Sequence, residues 1–360
     1  MNYLQIEPEA VRLAPVRAKG DPWRSMVGSV AHLLTTLVII VVAMRAIPPL
    51  LAWGFTQGIW EGDGEACRNA GACWAFLRVK MPFILFGIYP EAEQWRPMLV
   101  VSLFIGLTLW TMPRTHWARG TLLGWAIGLV LALLLMAGGL PGLTPVPTSS
   151  WGGLPITLLL TILSLAMGFP LGVALALARR SNMPVFRWAA TALIEVARGL
   201  PLLTLLFIAA VMTPLLLPAG LALDHLLRAL IVFTFSSAAY IAEVVRGGLQ
   251  GLPHGQAEAA HALGLRRHDI LLTVIIPQAV RKALPPLTST IIVIIKNTSL
   301  VMVVGLFDLL SAGRLVLSDP AWPMPYAETY LIIALIYFAI CYGFARYALH
   351  LERTVGEGKP

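Results

Sequence analysis

Four charged sites interrupt stretches of this chain that are otherwise apolar. Glu195 and Arg198 stand three residues apart, a spacing that shares one helix face. Glu243 and Arg246 repeat it, and Asp224 and Arg228 stand four apart. Lys296 is alone, in Ile294-Ile295-Lys296-Asn297-Thr298-Ser299-Leu300. An ionised side chain at the centre of a spanning helix costs roughly 3 kcal/mol on insertion scales, so each such residue implies a pathway or a partner. Glu195 and Arg198 either line a path or neutralise each other before a kink at Pro201, with Gly199 letting the helix bend. Glu243 and Arg246 form either a gate or a helix-end pair whose arginine reaches the headgroups. Asp224 and Arg228 read as an interfacial cap. Lys296 lies about ten residues into its apolar run, too deep for easy snorkelling. Its ammonium can hold a carboxylate, with Asn297, Thr298 and Ser299 donating or accepting around it. A solute carrying both charges would find its second partner in Glu195 or Glu243. The alternative is hydrogen-bonded glue between helices of two subunits.

Other chemistry is excluded. The chain contains no Gly-x-x-x-x-Gly-Lys-Ser/Thr, so it has no phosphate cradle of that kind. No Gly-x-Ser-x-Gly nucleophile site occurs, and no His or Cys cluster has metal-ligand spacing. His254, His261 and His268 recur every seven residues but flank helix breakers, and read as solvated. No metal, cofactor or enzymatic activity is expected of the chain itself.

The elements that carry these residues follow from composition. The 360 residues are 58% hydrophobic and 12% charged, with mean hydropathy +0.79. Soluble domains carry about 25% charged residues, so this is an all-α integral membrane protein. The +8 net charge fits the cationic flanks of spans. No basic run is interleaved with aromatics, which argues against a nucleic-acid partner. Eight apolar runs approach the ~20 residues a bilayer requires: 27–46, 97–112, 121–141, 154–178, 188–213, 226–247, 286–307 and 327–348. Residues 47–60, with Trp53 and Trp60, read as an interfacial piece or a ninth, half-buried element. The polar stretch Met1–Arg24 precedes an uncleaved first span. Gly124/Gly128 and Gly168/Gly172 are spacings for close helix packing.

With the N-terminus inside, the inner segments hold 17 Lys and Arg and the outer ones six. Five of those six fall in one long outer loop, where the charge rule is weak. Both termini are therefore expected to be cytoplasmic, together with the loop around Glu258. Cys67 and Cys73 then fall outside, where a disulfide closing a small loop is expected, and Cys341 lies in an apolar run. A Pro/Gly/Ser-rich linker at 142–153 separates three N-terminal spans (1–150) from a five-span half (151–350) and a short cytoplasmic tail (351–360).

The longest polar interruption of the C-terminal half runs from Gly248 to Leu284. Pro253 stands where a helix begins and Gly264 where one ends, bounding a short Ala-rich helix with one carboxylate, Glu258. Asp269 is placed to cap a second short helix that Pro277 ends. Glu258-Ala259-Ala260, then Gly264, then Val274-x-Ile276-Pro277, resembles the EAA loop of ABC importer permeases. Val274 and Ile276 stand where the family has Ile and Leu. Further motifs follow in the order of the polar amino acid branch of that family: Gly153-Leu154-Pro155, Ala178-Arg179-Arg180-Ser181, Arg198-Gly199-Leu200-Pro201, Tyr240-Ile241-Ala242-Glu243 and Lys296-Asn297-Thr298-Ser299-Leu300. The likeness covers roughly 150–350, and the first 150 residues resemble the extra N-terminal spans of general L-amino acid permease subunits.

The resemblance implies a bacterial inner-membrane importer subunit for L-amino acids. Glu258, Ala259, Ala260, Gly264 and Pro277 would form a coupling helix docked on a cytoplasmic ATPase dimer, which binds the ATP and Mg. A second permease subunit, a periplasmic amino acid-binding protein and membrane lipid complete its partners. A permease for another small polar solute is the nearest alternative. An ion-coupled secondary transporter would need no docking helix, and an intramembrane enzyme would need a nucleophile–base or metal pair that is absent.

Overall fold

The structure, a computed structural model, describes residues 30–68, 71–117, 119–216, 218, 223–253 and 255–356. Met1–Arg24, His254 and the last residues of the tail, 357–360, lie outside it. The described chain is helical, with a few isolated β-bridges. The helices are α1 (Val30–Leu51), α2 (Trp74–Phe86), α3 (Trp95–Thr111), α4 (Arg119–Ala137), α5 (Gly153–Arg179), α6 (Pro184–Gly199) and α7 (Leu202–Leu216). They continue with α8 (His225–Gln250), α9 (Gly255–Ala262), α10 (267–282), α11 (Leu284–Asn297), α12 (Leu309–Val316) and α13 (Tyr326–Gly356).

The centre of the molecule is the α5–α8 pair. Hydrocarbon gives no hydrophobic drive for two apolar helices to meet, so close van der Waals packing must hold them. Gly168 and Gly172 supply it. A Cβ at Gly168 would stand 3.0 Å from the Ser237 Cβ, and one at Gly172 would stand 2.8 Å from the Ala238 carbonyl oxygen. Gly124 and Gly128 play the same part for α4, against the side chains of Trp110 and Leu107 on α3. Phe104, Met136, Leu159 and Phe233 close the core between these four helices.

Among the described residues, six helices are long and apolar enough to cross a membrane. α6 and α7 make a seventh if the pair is one span, but they are bent by 101°. Two of the eight expected spans stand outside these six. α3, at 17 residues, is at the short end of the range for a crossing, as the short run 97–112 implies, and it starts two residues earlier. The span at 188–213, expected to kink at Pro201, is broken outright, because Leu200 before Pro201 is pushed to extended geometry (φ −98°, ψ 138°) and the helix cannot continue. The 47–60 piece is not a separate amphipathic helix: α1 runs on to Leu51 through Pro48 and Pro49 and passes into a π-turn at Ala52–Thr56.

The stretch between α1 and α3 holds a helix that hydropathy alone did not show. α2 carries Arg78, Lys80 and Pro82, which hide its buried face of Phe76, Leu77 and Ile84. It packs on α12 and α5. A disulfide joins Cys67 and Cys73, whose Cα atoms are 5.5 Å apart. The Cys73 amide donates to the buried Glu328 of α13 at 2.6 Å, Lys80 pairs with Asp319 at 2.6 Å, and Phe76 meets Trp322 edge-on.

Arg96, counted among outer-loop charges, is fully buried. It pairs with Glu93 at 2.8 Å and donates to the Thr144 carbonyl at 2.7 Å. The Thr144 hydroxyl donates to Glu93 in turn at 2.7 Å. That hydrogen bond, with the Arg96 guanidinium beside it, holds the Glu93 carboxyl below the usual carboxylate range.

Candidate functional site

The expected pairing of Glu195 with Arg198 is not what the fold makes. Glu195 on α6 binds Arg179 at the end of α5, at 2.8 Å. Arg179 reaches with its other nitrogen to Glu243 on α8, at 2.5 Å. Glu243 also holds Arg246 at 2.7 Å, the expected partner one turn on, and Arg198 at 3.5 Å. One carboxylate thus faces three guanidinium groups drawn from three helices. A same-helix pair loses here because α6 crosses the end of α5, where a bidentate arginine satisfies two carboxylates at once. In the sequence Arg179 stands out only as a flank charge within Ala178–Ser181, with nothing to mark it as a partner of Glu195 and Glu243.

A similar exchange occurs at the other end of α8. Asp224 does cap α8, accepting from the Leu226 amide at 3.0 Å, and it accepts from Thr148 at 2.7 Å. Arg228 is not its partner. It is buried and donates to the Ala210 carbonyl at 2.9 Å, inside the π-helical part of α7. A π-turn leaves a carbonyl poorly matched in its own helix, and Arg228 takes it.

Between α7, α8 and α11 lies a cavity of about 180 Å³. α8 contributes Phe233, Ser236, Ser237 and Tyr240, which fall on one face at helical spacing. α11 contributes Ser289, Thr290, Val293, Ile294 and Asn297, and Leu202 of α7 closes a side. The lining is hydroxyls, one amide and apolar surface, with no charged side chain. The Ser237 Oγ is buried and lacks a hydrogen-bond partner, so it has donor and acceptor capacity to spare.

Of the four polar residues expected together, the fold brings only Asn297 to this cavity. Lys296 is rotated by about 100° around α11 and lies near Cys341 of α13. It is exposed, and among the described residues it forms no ion pair. Thr298 is buried and donates to the Ile295 carbonyl at 2.7 Å, and Ser299 donates to the Lys296 carbonyl at 2.9 Å. Both hydroxyls serve the tightening of α11 into a 3-10 turn at Thr298–Val304. Ser236 with Tyr240, and Ser289 with Asn297, were legible in principle: they are polar residues recurring at i,i+4 and i,i+8 in apolar runs.

α8 runs directly into the loop that holds α9. Glu258 and Ala259 on α9 are exposed and Ala260 is buried. Gly264 takes a left-handed conformation (φ +78°). Its amide donates to the His261 carbonyl at 2.9 Å, and the Leu265 amide reaches back to Ala260 at 3.3 Å. This paired closure is a Schellman motif. Leu263 beside it is 81% exposed. α10 follows without the stop expected at Pro277. Arg266 rather than Asp269 stands at its N-cap, and Asp269 sits inside, bound to Arg266 at 3.0 Å. The helix widens to a π-turn at Ile270–Ile275, which accommodates the missing amide and the ring of Pro277, and continues to Lys282. The Gln278 side chain donates to the Val274 carbonyl there at 3.0 Å. Lys282 donates to the Gly251 carbonyl, and Gly248 lies against Ala279, so α10 is packed back onto the end of α8.

Comparison with known proteins places this arrangement. The chain is 40% identical over 343 residues to an inner membrane amino-acid ABC transporter permease protein of Escherichia coli K12, YhdY, covering 93% of this chain and 92% of the relative. It is 32% identical to a glutamate/glutamine/aspartate/asparagine transport system permease protein of Rhodobacter capsulatus, BztC, over 98% of both chains. The fold resembles the crystal structure of an amino acid ABC transporter with histidines, at 34% identity and a TM-score of 0.50, covering 56% of this chain and 92% of that one. Residues 168–357 match the family of binding-protein-dependent transport system inner membrane components. With its helical membrane fold and the match over its cavity, charged cluster and α9 loop, this chain belongs to that family of multi-pass membrane proteins.

Proposed function

We propose that the chain is the membrane-spanning subunit of an ATP-driven amino acid importer. In this reading the solute passes the cavity between α7, α8 and α11, and the α9 loop is gripped by a separate ATPase dimer. One observation carries it: α8 lines a largely apolar, uncharged cavity dotted with hydroxyls, and leads through a short turn to the exposed, small-sided knob of α9. A push on α9 therefore reaches the cavity wall through the short turn at Gly251 and through α10, which is packed on the end of α8. The hydroxyls and Asn297 suit a zwitterion whose two charges need many donors and acceptors. The names of the long relatives support amino acids as the cargo.

In the same reading, Glu258, Ala259, Ala260 and Gly264 form the docking knob, and Pro277 shapes the helix that braces it. ATP and Mg belong to the partner. The excess of Lys and Arg in the segments on the α9 side supports placing that side, and both termini, in the cytoplasm. A binding protein then delivers solute at the disulfide end. Lys296, exposed on a spanning helix, is assigned to a contact with a second permease subunit, and Asn297 to the solute.

The test is uptake by vesicles carrying the full assembly. Glu258→Lys should abolish uptake and weaken co-purification of the ATPase, while the protein stays inserted. Normal uptake in that variant would sink the docking role.

A further inference from the structure

We propose that Arg179, Glu195, Arg198, Glu243 and Arg246 form the closure at the α9 end of the cavity, with Arg179 as the positioning residue that holds it shut. The proposal rests on reading that cavity as the solute path.

The placement carries the argument. Tyr240 lines the cavity, and Glu243 follows it three residues later on α8, about 4.5 Å further toward α9 at 1.5 Å per residue. Leu202 lines the cavity on α7, and Arg198 lies just across the bend from it. Both walls therefore pass from neutral to charged at the same level. The seam is sealed there by contact: the Arg198 guanidinium stands over the Tyr240 ring, 5.7 Å from its centroid, and reaches Glu243 at 3.5 Å.

Arg179 is what joins the three helices. Among the described residues it alone pairs with both carboxylates, at 2.5 and 2.8 Å, and it comes from α5, which is locked to α8 through Gly168 and Gly172. α6 is attached to that rigid pair by the Glu195 contact, by Arg198 on Glu243 and Tyr240, and by Ala190 and Ile194 in the apolar core. Losing Arg179 removes the tie between Glu195 and Glu243 and leaves Arg198 as the one charged contact of α6 with α8 among the described residues, so the closure opens more often. A lysine cannot replace it fully, because a point charge does not bridge two carboxylates held by a fork. The groups range from half-buried (Arg179, Glu243, Arg246) to exposed (Glu195, Arg198), so the cluster can break and re-form in each cycle at modest cost. A closure built of leucines would have no such salt or charge dependence.

The test reads access to the cavity directly. In the full transporter with its ATPase, in inside-out vesicles without nucleotide, Cys341→Ala is combined with Ser236→Cys. Modification by a membrane-impermeant thiol reagent is then timed. Arg179→Gln should speed the reaction by roughly tenfold, the population shift expected from losing two pairs of this exposure. Arg179→Lys and Glu195→Gln should fall between. Glu195 is 57% exposed, so its variant keeps the test usable if Arg179→Gln fails to assemble. Equal rates in all variants, with Ser236→Cys reactive, would overturn the closure and leave the cavity reading intact. A thiol that reacts only after solubilisation would overturn both, since the cavity would then have no route to the α9 side.

Discussion

The guanidinium of Arg198 lies over the ring of Tyr240, 5.7 Å from centroid to carbon, so one residue of the bent helix touches one residue of the cavity wall. A cation over an aromatic face contributes about 0.5–1 kcal/mol where water still reaches it. Tyr240→Phe keeps that face and should transport at close to the normal rate. Tyr240→Leu removes it and should lower the uptake rate by roughly threefold, the equivalent of the lost contact. Initial uptake rates in vesicles, compared at equal protein, decide it. Equal loss in both variants would mean that the hydroxyl, not the ring, matters.

Gly264 adopts φ +78°, where a β-branched residue is strained. Gly264→Val should distort the turn after α9 without disturbing the spans. The expected result is normal membrane insertion, with ATPase co-purification reduced by about tenfold, as a strain near 1.4 kcal/mol confined to the docked state would give. Full retention of the ATPase would show that the turn is not part of the contact.

Arg96 has no exposed surface, and its hydrogen bonds run to Thr144 and Glu93. Arg96→Met should cost about 3 kcal/mol of stability, from several charge-assisted bonds and the packing of the stem. Thermal unfolding in detergent measures it. Because Glu93 is held below the ordinary carboxylate range, its contribution is present above the unfolded pKa of about 4.3 and is lost as pH falls through the lower folded value. Acid-induced loosening of this corner should therefore begin below pH ~4, and Thr144→Val should move that onset upward.

The Cys67–Cys73 disulfide closes a loop with a sequence separation of six, too short to restrict the unfolded chain strongly. The chain-entropy relation gives about 2 kcal/mol. Reductant, or Cys67→Ser with Cys73→Ser, should loosen α2 from α12 and α13 while uptake persists. Faster hydrogen exchange at 57–86, with unchanged exchange in α5 and α8, is the expected pattern. Exchange rising throughout the bundle would show that the loop supports the whole fold.

Local bounds were legible in the sequence. Gly264 and Pro201 each act on their own backbone, so a helix end and a helix break could be read from them directly. The Glu243–Arg246 pair was legible for the same reason, since three residues on a helix are neighbours whatever surrounds them. Glu195 and Arg198 satisfied the same rule and were misread, because an arginine from another helix competes better than a same-helix one. Arg179 sits at a helix end, and nothing about its neighbours reveals which way its long side chain will turn. α2 was hidden because its cationic and proline positions dilute the hydropathy of a helix that is buried on one side only. Lys296 and Asn297 are adjacent in sequence, yet 100° of helical rotation sends one toward α13 and the other to the cavity. Proximity along the chain suggested a shared role that rotation denies.

α5 presents bare backbone at Gly168 and Gly172 to the backbone of Thr234 and Ala238 and the side chains of Ser237 and Ile241 on α8, with no room between them. Neither can slide past the other without a collision, so the two swing as a single beam. Any stroke that changes the shape of the cavity must then be taken up elsewhere, and beside the cavity the chain has already given up its helix at Leu200, at the 101° corner. The rigidity of two glycines thus assigns the travel to a proline.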